Sequence, residues 1–145
     1  MATRKKNRLI MRQVGPIQAA DVTFGDLTVI VGPQATGKSI FLQTLKLVLD
    51  RNAIHDTFKH HNVVFNGNAD AFLGGYFGKG MAAAWQAGKS RLQWNGKDCA
   101  LPELARPSKA KQRQESLFFI PAQRVMSLAS GVTQNFGQFN YGDPF

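Results

Sequence analysis

Cysteine is nearly absent from this chain of 145 residues, and acidic residues are half as numerous as basic ones, 9 against 18. A lone Cys99 excludes an internal disulfide framework and any cysteine-based zinc cluster. No run approaches the roughly 18 apolar residues that span a bilayer. The basic opening MATRKKNR leads into LIMRQVG, where Arg12 and Gln13 interrupt the apolar stretch that a secretory signal needs. These absences point to a cytoplasmic protein with no membrane segment. His55, His60 and His61 lack a neighbouring Cys or an HExxH frame, so they read as exposed or hydrogen-bonded histidines and not as metal ligands. The shortage of acid leaves a net charge of +9, which favours phosphates, nucleic acid or an acidic partner without choosing among them.

The chain is of one-domain size, and its 43% apolar residues suffice for a core. Residues 1–8 read as a basic, flexible leader and 9–145 as the domain. RLIMRQV (Arg8 to Val14) has strand character, Gly15-Pro16 breaks it, and AADVTF (Ala19 to Phe24) returns before a second turn at Gly25-Asp26. LTVIV (Leu27 to Val31) follows as a β-branched run without polar alternation, the pattern of a strand covered on both faces. Behind the next eight residues, SIFLQTLKLVLD is apolar around most of its circumference and predicts a largely buried helix ending near Asp50 to Asn52.

Between that strand and that helix lies GPQATGKS, with the spacing Gly32-(four residues)-Gly37-Lys38-Ser39 of a phosphate-binding loop. Gly32 and Gly37 admit backbone angles and close approach that a side chain would block, and the N–H groups of Ala35 through Ser39 can converge on one concavity. The helix start adds unpaired amides and partial positive charge at the same place. Lys38 is placed to reach β- and γ-phosphates, and the Ser39 hydroxyl to hold Mg²⁺. The expected nucleotide-binding stretch is therefore Gly32, Pro33, Gln34, Ala35, Thr36, Gly37, Lys38, Ser39 and Ile40, with ATP and Mg²⁺ as ligands.

Hydrolysis needs more than this loop: an acidic residue at a strand end to orient Mg²⁺, and a group to position water. After the loop the acids are Asp50, Asp56, Asp70, Asp98, Glu103, Glu115 and Asp143, and none follows an apolar run of four. Asp50 falls at the expected end of the first helix. In the middle of the chain the glycines of FLGGYFGKG predict turns and MAAAWQA a short helix, with Tyr76, Phe77 and Trp85 packed against a sheet. Asn95-Gly96 predicts a tight hairpin that includes Asp98. Pro102 to Glu115 reads as a polar surface helix, whose Arg106, Lys109, Lys111 and Arg113 also suit nucleic-acid phosphates. Leu117 to Ile120 reads as a second buried strand, whose end would deliver Gln123 and Arg124 toward a ligand.

The block VGPIQAADVTFGDLTVIVGPQATGKSIFLQTL resembles the start of the ABC-type ATPase heads of the RecF, SMC and OLD-nuclease group, and FFIPAQR is similar to the YIPAER-like strand end of OLD and related bacterial ATPases. The resemblance spans residues from about 9 to 49 and 117 to 124. It implies an α/β P-loop NTPase fold with an antiparallel β-subdomain beside the core. It also implies a second head closing over ATP, and Gln123 as a catalytic residue that, with Lys38, senses γ-phosphate and touches Mg²⁺. Gln123 stands where the PAER form has an acid, and Gln34 and Ala35 replace frequent Asn or Gly. Such heads continue into a signature motif, an Asp-Glu strand end and a switch histidine, none of which occurs before Phe145. The expectation is thus the N-terminal, incomplete part of a head, inactive alone, whose closure regulates a DNA-repair, chromosome-maintenance or anti-phage effector. Its expected partners are a second head, a nuclease or toxin effector, and DNA. A small nucleotide or metabolite kinase, and an ATP-responsive module without hydrolysis, are the other two readings the residues allow.

Overall fold

The computed structural model of the chain describes residues 6–78, 80–109 and 115–118. Strands β1 (Arg8–Val14) and β2 (Ile17–Thr23) form a hairpin closed by Gly15 and Pro16. Arg8 is therefore part of the sheet and not of a leader, and its guanidinium pairs with the Asp21 carboxylate across the hairpin. Along β1, Leu9 and Met11 alternate onto the buried side. Gln13 leaves strand geometry with φ of 51°, which returns Val14 to the buried side as well.

Strands β3 (Arg91–Trp94) and β4 (Lys97–Cys99) form the hairpin that Asn95-Gly96 predicts, with φ of 51° and 80° at its two turn residues. The same Asn95 ties the hairpin to β1. Its backbone N–H donates to the Arg8 carbonyl at 2.9 Å, and its Oδ1 accepts from the Arg8 N–H at 2.8 Å. The result is an antiparallel sheet in the order β2-β1-β3-β4.

Helix α1 (Lys38–His60) starts where the loop predicts but runs well past Asp50 to Asn52. At Asp50 the backbone leaves helical values (φ −125°, ψ 29°), so the expected stop is a kink. The helix resumes because Ile54 and Phe58, one turn apart, bury the same face against the core. Helix α2 (Ala69–Phe77) runs through Gly74 and Gly75, where turns were expected. The Phe65 ring lies 3.1 Å from the point a Cβ on Gly75 would occupy, so the missing side chain lets the aromatic ring in, and Asn68 caps the helix through the Ala71 N–H. Phe72, fully buried, meets Phe58, Phe65 and Tyr76 edge-on or stacked. Its burial alone stabilises by about 1.5–3 kcal/mol.

Tyr76 is buried in the core, its hydroxyl donating to the Gln43 carbonyl of α1 at 2.9 Å. Two further expectations change. MAAAWQA forms only one 3-10 turn, Ala82–Ala84, with Trp85 bridged to Val14 of the sheet. Between Pro102 and Glu115 the described helix is the single turn α3 (Leu101–Leu104), and Pro107 behind it has no N–H with which to continue.

LTVIV differs most. Residues 27–31 form no ladder with any described strand, and Leu27, Val29 and Val31 are exposed, whereas Ile30 is half-buried against the core. A β-branched run becomes a strand only when a neighbour supplies its cross-strand bonds, and here it serves as the extended lead into the loop. Phe119 to Arg124, with the second expected strand's end, lie outside the described residues.

Candidate phosphate-binding site

The loop wraps around its own lysine. The Lys38 ammonium donates to the Gly32 carbonyl at 2.8 Å, to the Pro33 carbonyl, and more weakly to Thr36 Oγ1 at 3.4 Å. Thr36 Oγ1 in turn donates to the Pro33 carbonyl at 2.9 Å. Ala35 and Gly37 both have left-handed backbone, φ 61° and 90°. Such angles turn successive N–H groups toward one side of a loop, the shape of an anion nest. For Ala35 the conformation costs about 1–2 kcal/mol, strain held in the loop itself.

Helix α1 opens directly on this loop. Gly37 is its N-cap without a side-chain cap bond, and its first turn contains no acidic residue. The orphan amides and partial positive charge of the helix start are therefore not neutralised by a side chain of the helix. Gly32 to Thr36 and Ser39 are exposed, while Gly37, Lys38 and Ile40 are half-buried. The stretch from Gly32 to Ile40 is thus open to solvent along most of its length.

Ser39 offers one hydroxyl in the first turn, and among the described residues no cluster of three His, Cys, Asp or Glu side chains could hold a metal. A Mg²⁺ ion would fit as it usually does, held by a single protein oxygen together with phosphate and water. Five of the described acids pair with basic side chains elsewhere: Asp21 with Arg8, Asp56 with Lys59, Asp98 with Arg91, and both Asp50 and Glu115 with Lys46. Gln123, expected to join the site, lies outside the described residues.

Asp50 is fully buried at the kink of α1. Its Oδ2 accepts from the Lys46 ammonium at 2.9 Å and from the Leu117 N–H at 2.7 Å, and its Oδ1 accepts from the Ser116 N–H at 2.8 Å. Lys46 also donates to the Glu115 carboxylate and the Leu117 carbonyl. Burial by itself would push the Asp50 carboxyl up, but the bonds from Lys46 and the two amides outweigh it and hold the group below the ordinary range. This cluster fastens the start of the 117–120 run to the helix that carries Lys38. Sequence reasoning placed Asp50 only at a helix end; an i, i+4 Lys-Asp pair in an apolar stripe was the available signal.

His55 is a second buried titratable group beside the aromatic cluster. Of the three histidines expected to be exposed or hydrogen-bonded, His60 and His61 are exposed, while His55 is 8% exposed, stacks on Phe72 at 4.6 Å, and has no hydrogen-bond partner at Nε2. Burial lowers its pKa first, and Lys59 adds to that, against an opposing hydrogen bond with the Ala105 backbone and the charge of Asp56. The folded protein therefore resists protonating His55 while the unfolded chain takes a proton near the usual pH of about 6.5. Stability is intact above that pH and falls as pH drops through it, by at most about 1.4 kcal/mol per pH unit. Urea midpoints measured at pH 7.5 and 5.5 should decline in the wild type, and the decline should shrink in His55→Phe, which keeps the ring stack without the proton site.

A neighbour of the loop was missed by local reading. At Gly37 an added Cβ would lie 2.7 Å from Ile17 Cγ1 and 3.1 Å from Pro16 Cγ, so the turn of the β1–β2 hairpin sits directly against the last loop glycine. The contact joins residues twenty positions apart, and periodicity carries no trace of it. Compared with protein-family models, curated proteins and solved structures, the chain finds no match. No helix among the described residues is long and apolar enough to cross a membrane.

Proposed function

We propose that residues 32–40 bind the phosphates of ATP with Mg²⁺, and that the chain is the nucleotide-binding part of an ABC-like P-loop ATPase. The observation that carries this reading is the loop's geometry. A lysine ammonium donates to two carbonyls of the loop, two loop residues have the left-handed backbone found in anion nests, and an uncapped helix opens directly behind them. Each feature alone has other uses, but together they supply a point charge, a nest and a dipole for one polyanion.

In this reading Lys38 leaves the Gly32 and Pro33 carbonyls to face β- and γ-phosphate oxygens, and Ser39 binds the metal. ATP hydrolysis belongs to a longer protein or assembly, with a second head and an acidic strand end completing the site, Gln123 contributing, and nucleotide-driven closure regulating a nuclease, toxin or DNA-repair effector. Titration of the full chain with a fluorescent ATP analogue and Mg²⁺ tests the first step. Saturable binding displaced by ATP and ADP, and far less by adenosine, is expected. Equal displacement by adenosine, or no binding at all, would refute the assignment.

A further inference from the structure

We infer that Ile17, with Pro16 beside it, is a positioning residue for the phosphate loop: the hairpin turn fixes the left-handed conformation of Gly37 by filling the space against it. The inference concerns the loop's shape, and its nucleotide readout rests on the function proposed above. Gly37 has φ of 90°, where an L side chain is strained, and its Cβ position is closed by Ile17 Cγ1 at 2.7 Å, Pro16 Cγ at 3.1 Å and Ile17 Cδ1 at 3.4 Å. Two methylenes and a methyl of one turn therefore pack on a single α-carbon. Ile17 is 6% exposed and belongs to the core, so it is held from behind and presses forward on the loop.

The turn is also held on its far side. Gly15 donates its N–H to the Ala84 carbonyl at 2.9 Å, and the Met81 methyl lies 2.8 Å from the point a Cβ on Gly15 would occupy. Ser90 Oγ donates to the Gln13 carbonyl and accepts from the Gln86 N–H at 2.8 Å. A continuous stack thus runs from the 81–90 segment, through the turn, to Gly37. Because close-packed groups transmit displacement, the loop inherits its position from the hairpin. Gly37 supports the first helical bond, its carbonyl accepting from the Phe41 N–H at 2.8 Å, so a shift at 37 moves the amides of Lys38 and Ser39 with it.

Backbone ¹H–¹⁵N spectra of the full chain, recorded for wild type, Ile17→Ala and Ile17→Val, read the loop without any ligand. In I17A the amide signals of residues 35 to 39 should shift or broaden while those of the β3–β4 hairpin keep their positions, which shows that the fold survives. In I17V, which keeps a carbon at the Cγ1 position and loses only Cδ1, they should return toward wild type. Loop signals in I17A that superimpose on the wild type would overturn the inference, as would equal displacement across the whole sheet. A second arm measures fluorescent ATP affinity. I17A should weaken it about tenfold and I17V about twofold, and in a double-mutant cycle Gly37→Ala should cost less affinity on the I17A background than on the wild type, because the added methyl enters vacated space. If the wild type binds no ATP, the proposed function fails and the spectra still decide the inference.

Discussion

Lys38→Ala is expected to raise the dissociation constant for Mg-ATP at least about 30-fold. Truncating one partner of a hydrogen-bonded charge pair costs about 2–5 kcal/mol, and 2 kcal/mol is about 30-fold at room temperature. The loss should scale with phosphate number, largest for ATP, smaller for ADP and negligible for adenosine, because only phosphate oxygens meet the ammonium. A confounding effect comes from the loop itself. Lys38 also donates to the Gly32 and Pro33 carbonyls, so K38A leaves them without that donor and loosens the loop as well as removing charge. Lys38→Met lacks the same cation and donor but retains most of the apolar stem, so it separates the packing of the stem from the loss of the ammonium. If K38M binds ATP as poorly as K38A, the ammonium is the larger share. Wild-type affinity in both variants would sink the site assignment, and in a complete head with turnover the same variants should lose nearly all of it.

Asp50→Ala should destabilise the fold by about 3–5 kcal/mol, the cost of leaving a buried partner charge uncompensated. That is a large part of the roughly 5–15 kcal/mol that holds a domain together. Lys46, 8% exposed along its side chain, keeps the Leu117 carbonyl and a single carboxylate, Glu115, whose side chain is 53% exposed. Unlike an isolated ion pair, this one is not recovered by apolar replacement of both members. Lys46→Met combined with Asp50→Leu removes the charges but still deprives the Ser116 and Leu117 N–H groups of their acceptors, each a loss of about 1–3 kcal/mol if they stay buried. Urea unfolding of D50A, Asp50→Asn and the double variant checks the order, with D50A lowest and the double variant still below wild type. Because the folded carboxyl sits below its ordinary range, this stabilisation is present above about pH 4 and fades as acid protonates it. A D50A midpoint within experimental error of wild type would show that the cluster adds nothing.

What the sequence discloses and what it hides divide along the range of the interactions. The β1–β2 hairpin, the Asn95-Gly96 turn, the loop and the start of α1 are set by neighbours within a few residues, and each was legible. The end of α1 was not, because Asp50 looks like a stop and becomes a kink only when Ile54 and Phe58 find the core beyond it. Gly74 and Gly75 suggest turns by propensity, yet tertiary packing of Phe65 makes a helix the better use of them. The sheet order, with β3 inserted beside β1, rests on pairs distant in the sequence, such as Leu9 with Trp94. The candidate site divides the same way. Its residues were named from spacing alone, whereas the hairpin turn behind Gly37 and the ion cluster at Asp50 emerge only from folding.

The burial of Lys46 gives the protein an internal clock. An amine locked between Asp50, Glu115 and the Leu117 carbonyl lacks the exposure that an acylating reagent needs, while lysines such as Lys59 and Lys97 are exposed. Under mild labelling Lys46 should react only when the 115–117 segment lifts from α1. Its rate of modification, followed by mass spectrometry, would report how often that contact opens, and comparison with the rate of global unfolding would tell a local opening from loss of the whole fold.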